Sequence, residues 1–529
     1  MNSNNFVKYI FLAVVIILIF FTMFFIVKNR SQTDNYSLDQ TSTQSNIKTD
    51  LRFAIAEFDT INPIISNNRN VQEITKIIYE PLVSLNENYK IEYCLAKEIA
   101  KSDDLSYLIK LRENVKWHDG SELSADDVIF TIEMIRRDDI SSIYSENLKY
   151  VNEVLLIDES TVRINLSQKV PFFEYNLTFP IMSKKNYDGE DFVTTSKIPT
   201  GTGVFKIYEV GTNIIKLVQN EEYWNTERKP MATEININLY NTIGEVYAAF
   251  KNGEIDILSV KVSNIEDYVG SLGYNKIEYK ARDYDFLTFN TSNIILSDPT
   301  VRKAISLVID KNNIVASCLG KGYVASNFSL DMGSWLYTKD LNISVDTEQA
   351  SQILLNTGWE RAGNSWIKKI DGRSKKLAFS LAINSNNEQR VRVAENIKEQ
   401  LANFGIPVTI KYLDVESYVD AINNREYEAL ITGIQLGYSP NLTTFFGEYN
   451  IANYYNSEVL DIMNEVSNTT DENVLHEKYN RLFDIYLEEA PYIGLYRNTN
   501  NVIYNQSLVG NIKANCYDLY HNIEIWYRQ

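Results

Sequence analysis

Cysteine and histidine are both scarce in this chain of 529 residues. The three cysteines, Cys94, Cys318 and Cys516, are odd in number and lie far apart, which argues against a disulfide framework and against a CxxC zinc site. Three histidines leave little material for a His-rich metal site. We therefore expect neither a metal nor a cofactor.

An excess of basic residues is also missing. Lys and Arg number 51 against 69 Asp and Glu, which gives a net charge of −18 and argues against nucleic acid as a partner. Hydrophobic residues make up 44% of the chain, as in an ordinary globular protein. The length exceeds what one compact core accommodates, so we expect two or three lobes.

Motifs of enzyme catalysis are absent as well. The sequence contains no G-x-S-x-G, no H-E-x-x-H and no EF-hand loop. The acidic pair Asp126-Asp127 consists of neighbours in a predicted helix, which point in different directions and do not form a catalytic dyad. We assign no catalytic residue and predict that the protein is not an enzyme.

The run PTGTG at 199–203 and the WHDG stretch around His118 both invite a functional interpretation. PTGTG lacks the GK[ST] ending of a phosphate-binding loop and leads into a strand, so Gly201 and Gly203 are interpreted as hinge or turn residues. Asp-Gly after His118 favours a tight turn, and the sequence places no nucleophile or orienting acid beside this histidine.

The N-terminus carries a long apolar run at 9–27, YIFLAVVIILIFFTMFFIV. As a helix it would span roughly 28 Å, close to the hydrocarbon thickness of a bilayer. A cleaved signal peptide would have an apolar region of about 7–15 residues and a small-residue cleavage site, which this run lacks. We predict a single uncleaved transmembrane signal anchor, with residues 1–8 as a cytoplasmic tip and the polar segment 31–49 as a flexible tether.

Strand and helix signals alternate from Leu51 onward. Apolar residues repeat every second position around Phe53, Ile164, Ile237 and Phe379, which is typical of strands with one buried face. Capped helices lie between them, such as the T-x-x-E capping box at Thr242. The pattern predicts mixed α/β lobes.

A series of motifs spans almost the whole body. In chain order they are Leu95-Ala96, YLIKLRENVKWHDGSELSADDVIFTI (107–132), PTGTGVFKI (199–207), NEEYWN (220–225), AFKNGEIDI (249–257), FN (289–290), VRKAISLVIDKNNIV (301–315), LLNTGW (354–359) and ANFGIPVTI (402–410). In this order they resemble the family 5 extracellular solute-binding proteins, the peptide- and nickel-type receptors of ABC importers.

The resemblance implies a three-lobed periplasmic-binding-protein-like fold (type II, cluster C) that closes on its ligand by hinge motion. Lobe I would comprise 50–82, 199–288 and 498–529; lobe II would be 83–198 and lobe III 289–497. The ligand, a peptide or related small solute, would lie between lobes I and III, and ABC permease subunits would be the protein partners of a monomer. The family also implies that the body lies on the extracellular face of the cell membrane.

The resemblance further implies ligand-binding residues in lobe III. Peptide-binding members usually carry an aspartate four residues before a proline, which pairs with the peptide α-amino group; the matching residue here is Leu436, before Pro440. We place its neighbours Gln435, Gly437 and Tyr438 in the ligand site. The last cleft strand adds two further candidates, Tyr496 and Arg497, with Arg497 either meeting an anionic group of the ligand or lying solvated at the surface.

Two alternative functions remain at this point. The same clamp can serve as a ligand-sensing surface receptor without a transport role. A cell-surface hydrolase is the other alternative, because catalytic pairs can assemble from distant positions that sequence motifs do not reveal.

Overall fold

Short strands and capped helices alternate along the body, as the apolar patterns predict. The computed structural model describes residues 48–195, 197–261, 265–270, 273–339, 341 and 343–529. The strands are β1 (Asp50–Ala56), β2 (Val83–Leu85), β3 (Ile91–Tyr93), β4 (Ala96–Asp103), β5 (Ser106–Leu111), β6 (Val151–Asp158), β7 (Thr161–Leu166), β8 (Phe205–Val210), β9 (Ile214–Gln219), β10 (Glu234–Tyr240), β11 (Ile257–Val260), β12 (Tyr274–Phe289), β13 (Tyr323–Ala325), β14 (Glu360–Ala362), β15 (Ser365–Ile370), β16 (Arg373–Lys376), β17 (Phe379–Asn384), β18 (Val408–Leu413), β19 (Ala429–Gln435), β20 (Tyr492–Asn505), β21 (Leu508–Val509) and β22 (Tyr527–Arg528).

The α-helices lie mostly in the second half of the chain. Their bounds are Arg69–Thr75, Ala125–Ile135, Ile243–Lys251, Pro299–Val308, Lys311–Ile314, Thr347–Asn356, Glu388–Phe404, Val415–Asn424, Thr443–Phe446, Ser457–Val466 and Glu472–Glu489. Short 3-10 helices occur at Ser145–Leu148, Phe173–Leu177, Lys185–Tyr187, Ile265–Tyr268 and Ile523–Ile525, and one π-helical turn at Val315–Leu319. This mixed α/β composition agrees with the predicted fold class.

Three larger sheets organise these elements. One four-stranded sheet has the order β1-β10-β9-β8, and a second has the order β4-β5-β7-β6. The largest sheet has the order β11-β20-β12-β19-β17-β18, with β13 also paired to β20. The predicted alternation around Phe53 and Ile164 is confirmed, since both residues are fully buried in β1 and β7.

Most buried apolar side chains of the described residues belong to two regions of the body, and a smaller cluster packs around the helix Ile243–Lys251. What we call the first core contains buried residues of 51–237 together with Ile257, Tyr279 and residues of 502–526. The second core contains buried residues of 284–496 in two adjoining clusters. The predicted lobes I and II therefore share the first core. The second core lies in the predicted lobe III except for Tyr284, Phe286 and Leu287, which the prediction assigns to lobe I. The lobe boundaries themselves stay a prediction.

The long strands β12 and β20 connect the two cores. Their outer halves pair with each other from Tyr274↔Asn505 to Lys280↔Thr499, and pairing resumes at Tyr284↔Arg497. Three residues of β12 thus face one residue of β20, which is a β-bulge between the two cores. A bulge at this point bends the sheet and redirects the side chains that it carries.

The start of the body is fixed by main-chain pairing. The compact unit is Lys48–Gln529, and Lys48 exchanges hydrogen bonds with Arg528 while the Thr49 carbonyl accepts from Thr233 N–H at 2.8 Å. The last two residues of the predicted tether are therefore bonded to the body. The rest of the tether, the predicted cytoplasmic tip and the predicted anchor at 9–27 lie outside the described residues. None of the helices in the described part of the chain combines the length and apolarity needed to cross a bilayer.

Candidate functional site

A cavity of about 550 Å³ lies where the two cores meet, beside the β12–β20 bulge. It is lined from both sides, by residues within 67–76, 143–147, 175–178, 281–283, 435–439, 498–500 and 516–517, and by Lys261. These segments are distant in sequence, so only the fold brings them together. A larger groove of about 810 Å³ is lined entirely by residues of 308–404, none of which lines this cavity.

The bulge supplies one wall of the cavity. Ala281, Arg282 and Asp283 of β12 and the opposing Asn498 of β20 all line it. The carbonyl of Arg282 accepts a hydrogen bond from Leu436 N–H at 2.9 Å, and the Arg282 Nε donates to the Leu436 carbonyl. The bulge thereby also holds the loop that follows β19.

The loop after β19 contains four of the predicted ligand-binding residues. Gln435, Gly437 and Tyr438 line the cavity. The Leu436 side chain is 7% exposed and packs in the second core. A carboxylate at this position would be buried among apolar side chains. The main chain of Leu436, and not its side chain, contacts the bulge. Contact of these four residues with a ligand stays a prediction.

Tyr438 reaches across the cavity from the second core to the first. Its hydroxyl donates to the Cys516 carbonyl at 2.8 Å, and its ring lies 6.0 Å from the Tyr89 ring and 5.1 Å from the Tyr517 ring. The Arg282 guanidinium lies over the same ring, 3.8 Å from its centre. The ring of Tyr438 is therefore held by a hydrogen bond, two aromatic neighbours and a cation–π contact.

Tyr496 and Arg497 lie elsewhere. Both are 1% exposed and neither lines the cavity. Arg497 Nη1 pairs with the Asp331 carboxylate at 3.1 Å, and its Nη2 donates to the carbonyls of Phe328 and Leu330. The prediction of a solvated surface arginine is therefore wrong, because Arg497 is buried and both of its terminal nitrogens are bonded within the second core. The predicted contact of Tyr496 and Arg497 with a ligand stays a prediction.

Gly201 and Gly203 are required by a close main-chain approach. A Cβ at Gly201 would lie 2.0 Å from the Ile78 carbonyl oxygen, and one at Gly203 would lie 2.5 Å from that of Ile77. Neither glycine has the positive φ typical of a glycine turn. We call this close contact of Gly201 and Gly203 with the main chain of Ile77 and Ile78 the seam. The predicted hinge role of the two glycines stays a prediction.

His118 is hydrogen-bonded to both glycines of the seam. The Gly201 N–H donates to its Nδ1 at 3.2 Å, so the proton sits on Nε2, which bonds the Gly203 carbonyl at 3.0 Å. Burial lowers the pKa of His118 to about 4, and the hydrogen bond to Gly203 only partly opposes this. The imidazole is therefore neutral in the folded protein and has a structural role, as its turn motif predicts.

This histidine should make stability depend on pH. Between pH 6.5 and 4 the unfolded chain binds a proton here that the folded protein does not, so stability falls as the pH falls through this window. We expect His118→Gln to remove roughly 2 kcal/mol of this acid-induced loss. Urea denaturation of both proteins at pH 7, 5 and 4 measures it, and equal losses in both would contradict the assignment.

Further contacts join the predicted lobe II to the second core near the cavity. Trp335 N–H donates to the Asn88 carbonyl at 2.9 Å, and its indole Nε1 donates to the Tyr175 hydroxyl at 3.0 Å. Lys90 pairs with Glu472 at 2.6 Å. These contacts bridge the two cores on one side of the cavity.

The side chains that line the cavity are mostly polar and aromatic. The part of the chain that the structure describes contains no group of three or more His, Cys, Asp or Glu side chains placed to hold a metal ion. The cavity instead presents amides, hydroxyls, aromatic rings and a few charged groups, which suit a polar organic ligand.

Comparisons with known proteins agree with this architecture. The sequence profile of the bacterial extracellular solute-binding proteins, family 5 Middle, matches residues 90–455. The oligopeptide-binding protein AppA of Bacillus subtilis (strain 168) is 27% identical over 499 residues, covering 90% of each chain.

Two solved structures have the same fold. The periplasmic murein tripeptide-binding protein MppA, in its unliganded open form, has a TM-score of 0.76 and 19% identity, covering 91% of this chain and 97% of its own. NikZ of Campylobacter jejuni, in complex with Ni(L-His), has a TM-score of 0.57 and 25% identity, covering 91% and 100%. The profile alone matches more than half of the 529 residues, and the chain therefore belongs to the bacterial extracellular solute-binding proteins, family 5.

Proposed function

We propose that this protein is the substrate-binding component of an ABC importer and that it captures a peptide or related small solute between its two cores. The observation that carries the proposal is the cavity of about 550 Å³, lined from both cores at the bulge of the two connecting strands. A pocket of this size suits a ligand of a few residues. The names of the relatives support the choice of a peptide, a murein tripeptide or a small chelate as ligand class.

The mechanism that we propose is closure about β12 and β20. The chain passes between the cores only along these strands within the described residues, and their pairing is interrupted at the bulge. The Tyr438 hydroxyl and the Trp335 indole each donate a hydrogen bond from the side of the second core to the side of the first. We propose that these two hydrogen bonds form when the cores close. A ligand shifts the balance towards closure only through contacts that it makes better in that state.

We propose that the ligand is bound and released without covalent change. The absence of catalytic motifs from the sequence supports this, and so does the engagement of His118 in the seam between Gly201 and Gly203.

We also propose that residues 9–27 anchor the protein in the cell membrane and that the body, a monomer, lies outside and delivers its ligand to permease subunits. The apolar run and the extracellular family support this placement. Protease treatment of intact cells should degrade the body, and survival of the body in cells that remain intact would contradict the proposed topology.

Ligand capture can be tested with randomised pentapeptides carrying free termini. A bound pool at 100 times its dissociation constant should stabilise the protein by about 2.7 kcal/mol, measured as a rise in the thermal midpoint. The variant Gly437→Trp fills the cavity from a position where a Cβ meets only Ser439 N, at 3.8 Å, and should lose the response. The control Gly244→Trp, on the exposed face of the helix Ile243–Lys251, should keep it. No response of the unaltered protein to peptides would remove the peptide part of the proposal.

A further inference from the structure

Two arginines of the first core and the connecting strand present their guanidinium groups at the cavity. Arg69 begins the helix Arg69–Thr75, and Arg282 lies in the β12 bulge. Both residues line the cavity. Both guanidinium groups also affect the Cys516 thiol. Burial raises the pKa of this thiol, and the positive charges of Arg69 and Arg282 partly counteract that rise.

Both guanidinium groups retain unused donors. Arg69 Nη2 donates to the Tyr279 hydroxyl at 3.3 Å, and Arg282 Nε donates to the Leu436 carbonyl. A guanidinium has five N–H donors, and Arg282 also reaches the Tyr438 hydroxyl, so each residue retains donors that these contacts do not use. Within the part of the chain that the structure describes, no carboxylate oxygen lies within 4.0 Å of either group.

Other arginines of the same sheet region differ in this respect. Arg390 pairs with Asp285 at 2.5 Å and Arg497 pairs with Asp331 at 3.1 Å. Arg69, which is exposed, and Arg282, which is half-buried, lack such partners although both line the cavity. Unpaired guanidinium groups at a cavity wall are available to bind an anion through charge-assisted hydrogen bonds.

The charged side chains that line the cavity carry an excess of positive charge: four are basic, Arg69, Lys76, Lys261 and Arg282, and two are acidic, Glu73 and Asp283. Glu73 is bound by Lys76 at 3.0 Å and by the Leu519 N–H at 3.3 Å. Asp283 accepts from the Asn498 amide at 3.1 Å. The loop Gln435 to Pro440 contains no acidic residue. The wall around Tyr438 is therefore cationic.

We propose that the cavity selects solutes that carry a carboxylate and that Arg69 and Arg282 bind this group beside the ring of Tyr438. The inference rests on the proposed function and names the ligand chemistry of the same site. A ligand ammonium group is excluded from this end of the cavity by repulsion from the two guanidinium groups. The carboxylate belongs either to the C-terminus of a peptide or to an acidic side chain.

A competition between peptide pools tests the proposal and separates the two sources. Three randomised pentapeptide pools are mixed in equal amounts: free acids without Asp or Glu, C-terminal amides without Asp or Glu, and C-terminal amides with Asp or Glu. The protein is re-isolated and the bound peptides are quantified by mass spectrometry. We expect at least a 10-fold preference for one or both carboxylate-containing pools over the amides without acid; the free acids identify a C-terminal carboxylate and the acidic amides a side chain.

Matched variants connect the preference with the two arginines. Arg69→Gln and Arg282→Gln should each reduce it several-fold, and the double variant should abolish it. Arg392→Gln, on the exposed face of the remote helix Glu388–Phe404, should leave it unchanged. Thermal midpoints of all variants confirm that they are folded.

Each result of the peptide competition supports or contradicts the carboxylate proposal. Equal capture of all three pools, or a preference that survives in the folded double variant, would overturn the carboxylate proposal and leave the proposed function standing. Capture of no peptide by the unaltered protein would contradict peptide binding itself, and the carboxylate proposal would fall with it.

Discussion

Replacing Gly201 with alanine is expected to lower the free energy of unfolding by about 3 kcal/mol. The added Cβ would lie 2.0 Å from the Ile78 carbonyl oxygen and 2.8 Å from its carbonyl carbon. Both atoms belong to the main chain, so no flexible side chain can move away. Relief of the overlap requires a shift of the main chain, which also disturbs the hydrogen bonds of Gly201 with His118.

Urea denaturation followed by circular dichroism measures this loss. Gly244→Ala is the matched control, because its nearest neighbour is a side-chain oxygen at 3.8 Å and it lies in the first turn of the helix Ile243–Lys251. The control should gain about 0.5 kcal/mol, since alanine has the higher helix propensity. If Gly201→Ala were as stable as the unaltered protein, the close packing of the seam would be wrong.

Replacing Tyr438 with alanine is expected to weaken the binding of captured pentapeptides about 100-fold, which corresponds to about 2.7 kcal/mol. The ring forms part of the cavity wall and supports the Arg282 guanidinium at 3.8 Å. Its hydroxyl also connects the second core to the Cys516 carbonyl of the first. Truncation removes the wall, the support of Arg282 and a closing contact together.

Isothermal titration with one pentapeptide recovered from the pools measures this effect. Tyr438→Phe separates the contributions, because it keeps the ring over Arg282 and removes only the hydrogen bonds of the hydroxyl, to the Cys516 carbonyl and to Arg282. We expect a loss of about tenfold or less for this variant, near 1.4 kcal/mol. Unchanged affinity in Tyr438→Ala would place the ligand away from this wall.

The sequence predicts the local elements of this fold well. Asp126 and Asp127 correctly indicate the first turn of the helix Ala125–Ile135, and the capping box of Thr242 with Glu245 is present. The helix Glu388–Phe404 ends at Gly405, a residue type that readily adopts the left-handed conformation found there. These predictions succeed because caps and apolar periodicity depend on residues within a few positions of one another.

The site is predicted less completely, because its chemistry depends on contacts between distant segments. The loop at Gln435 and Tyr438 is found through the family resemblance. The sequence patterns do not identify Arg69 and Arg282 as cavity residues, because no local pattern indicates that the start of a helix and a strand bulge meet at one cavity. The burial of Arg497 likewise depends on Asp331, which lies 166 positions away in the chain.

The central claim is that a small solute occupies the cavity between the two cores. The most direct test is the electron density of crystals grown from protein saturated with the randomised free-acid pentapeptides. We predict continuous density for a peptide in this cavity, in contact with Tyr438 and with a carboxylate at Arg69 and Arg282. Peptide density at another surface, with only solvent in the cavity, would contradict the account.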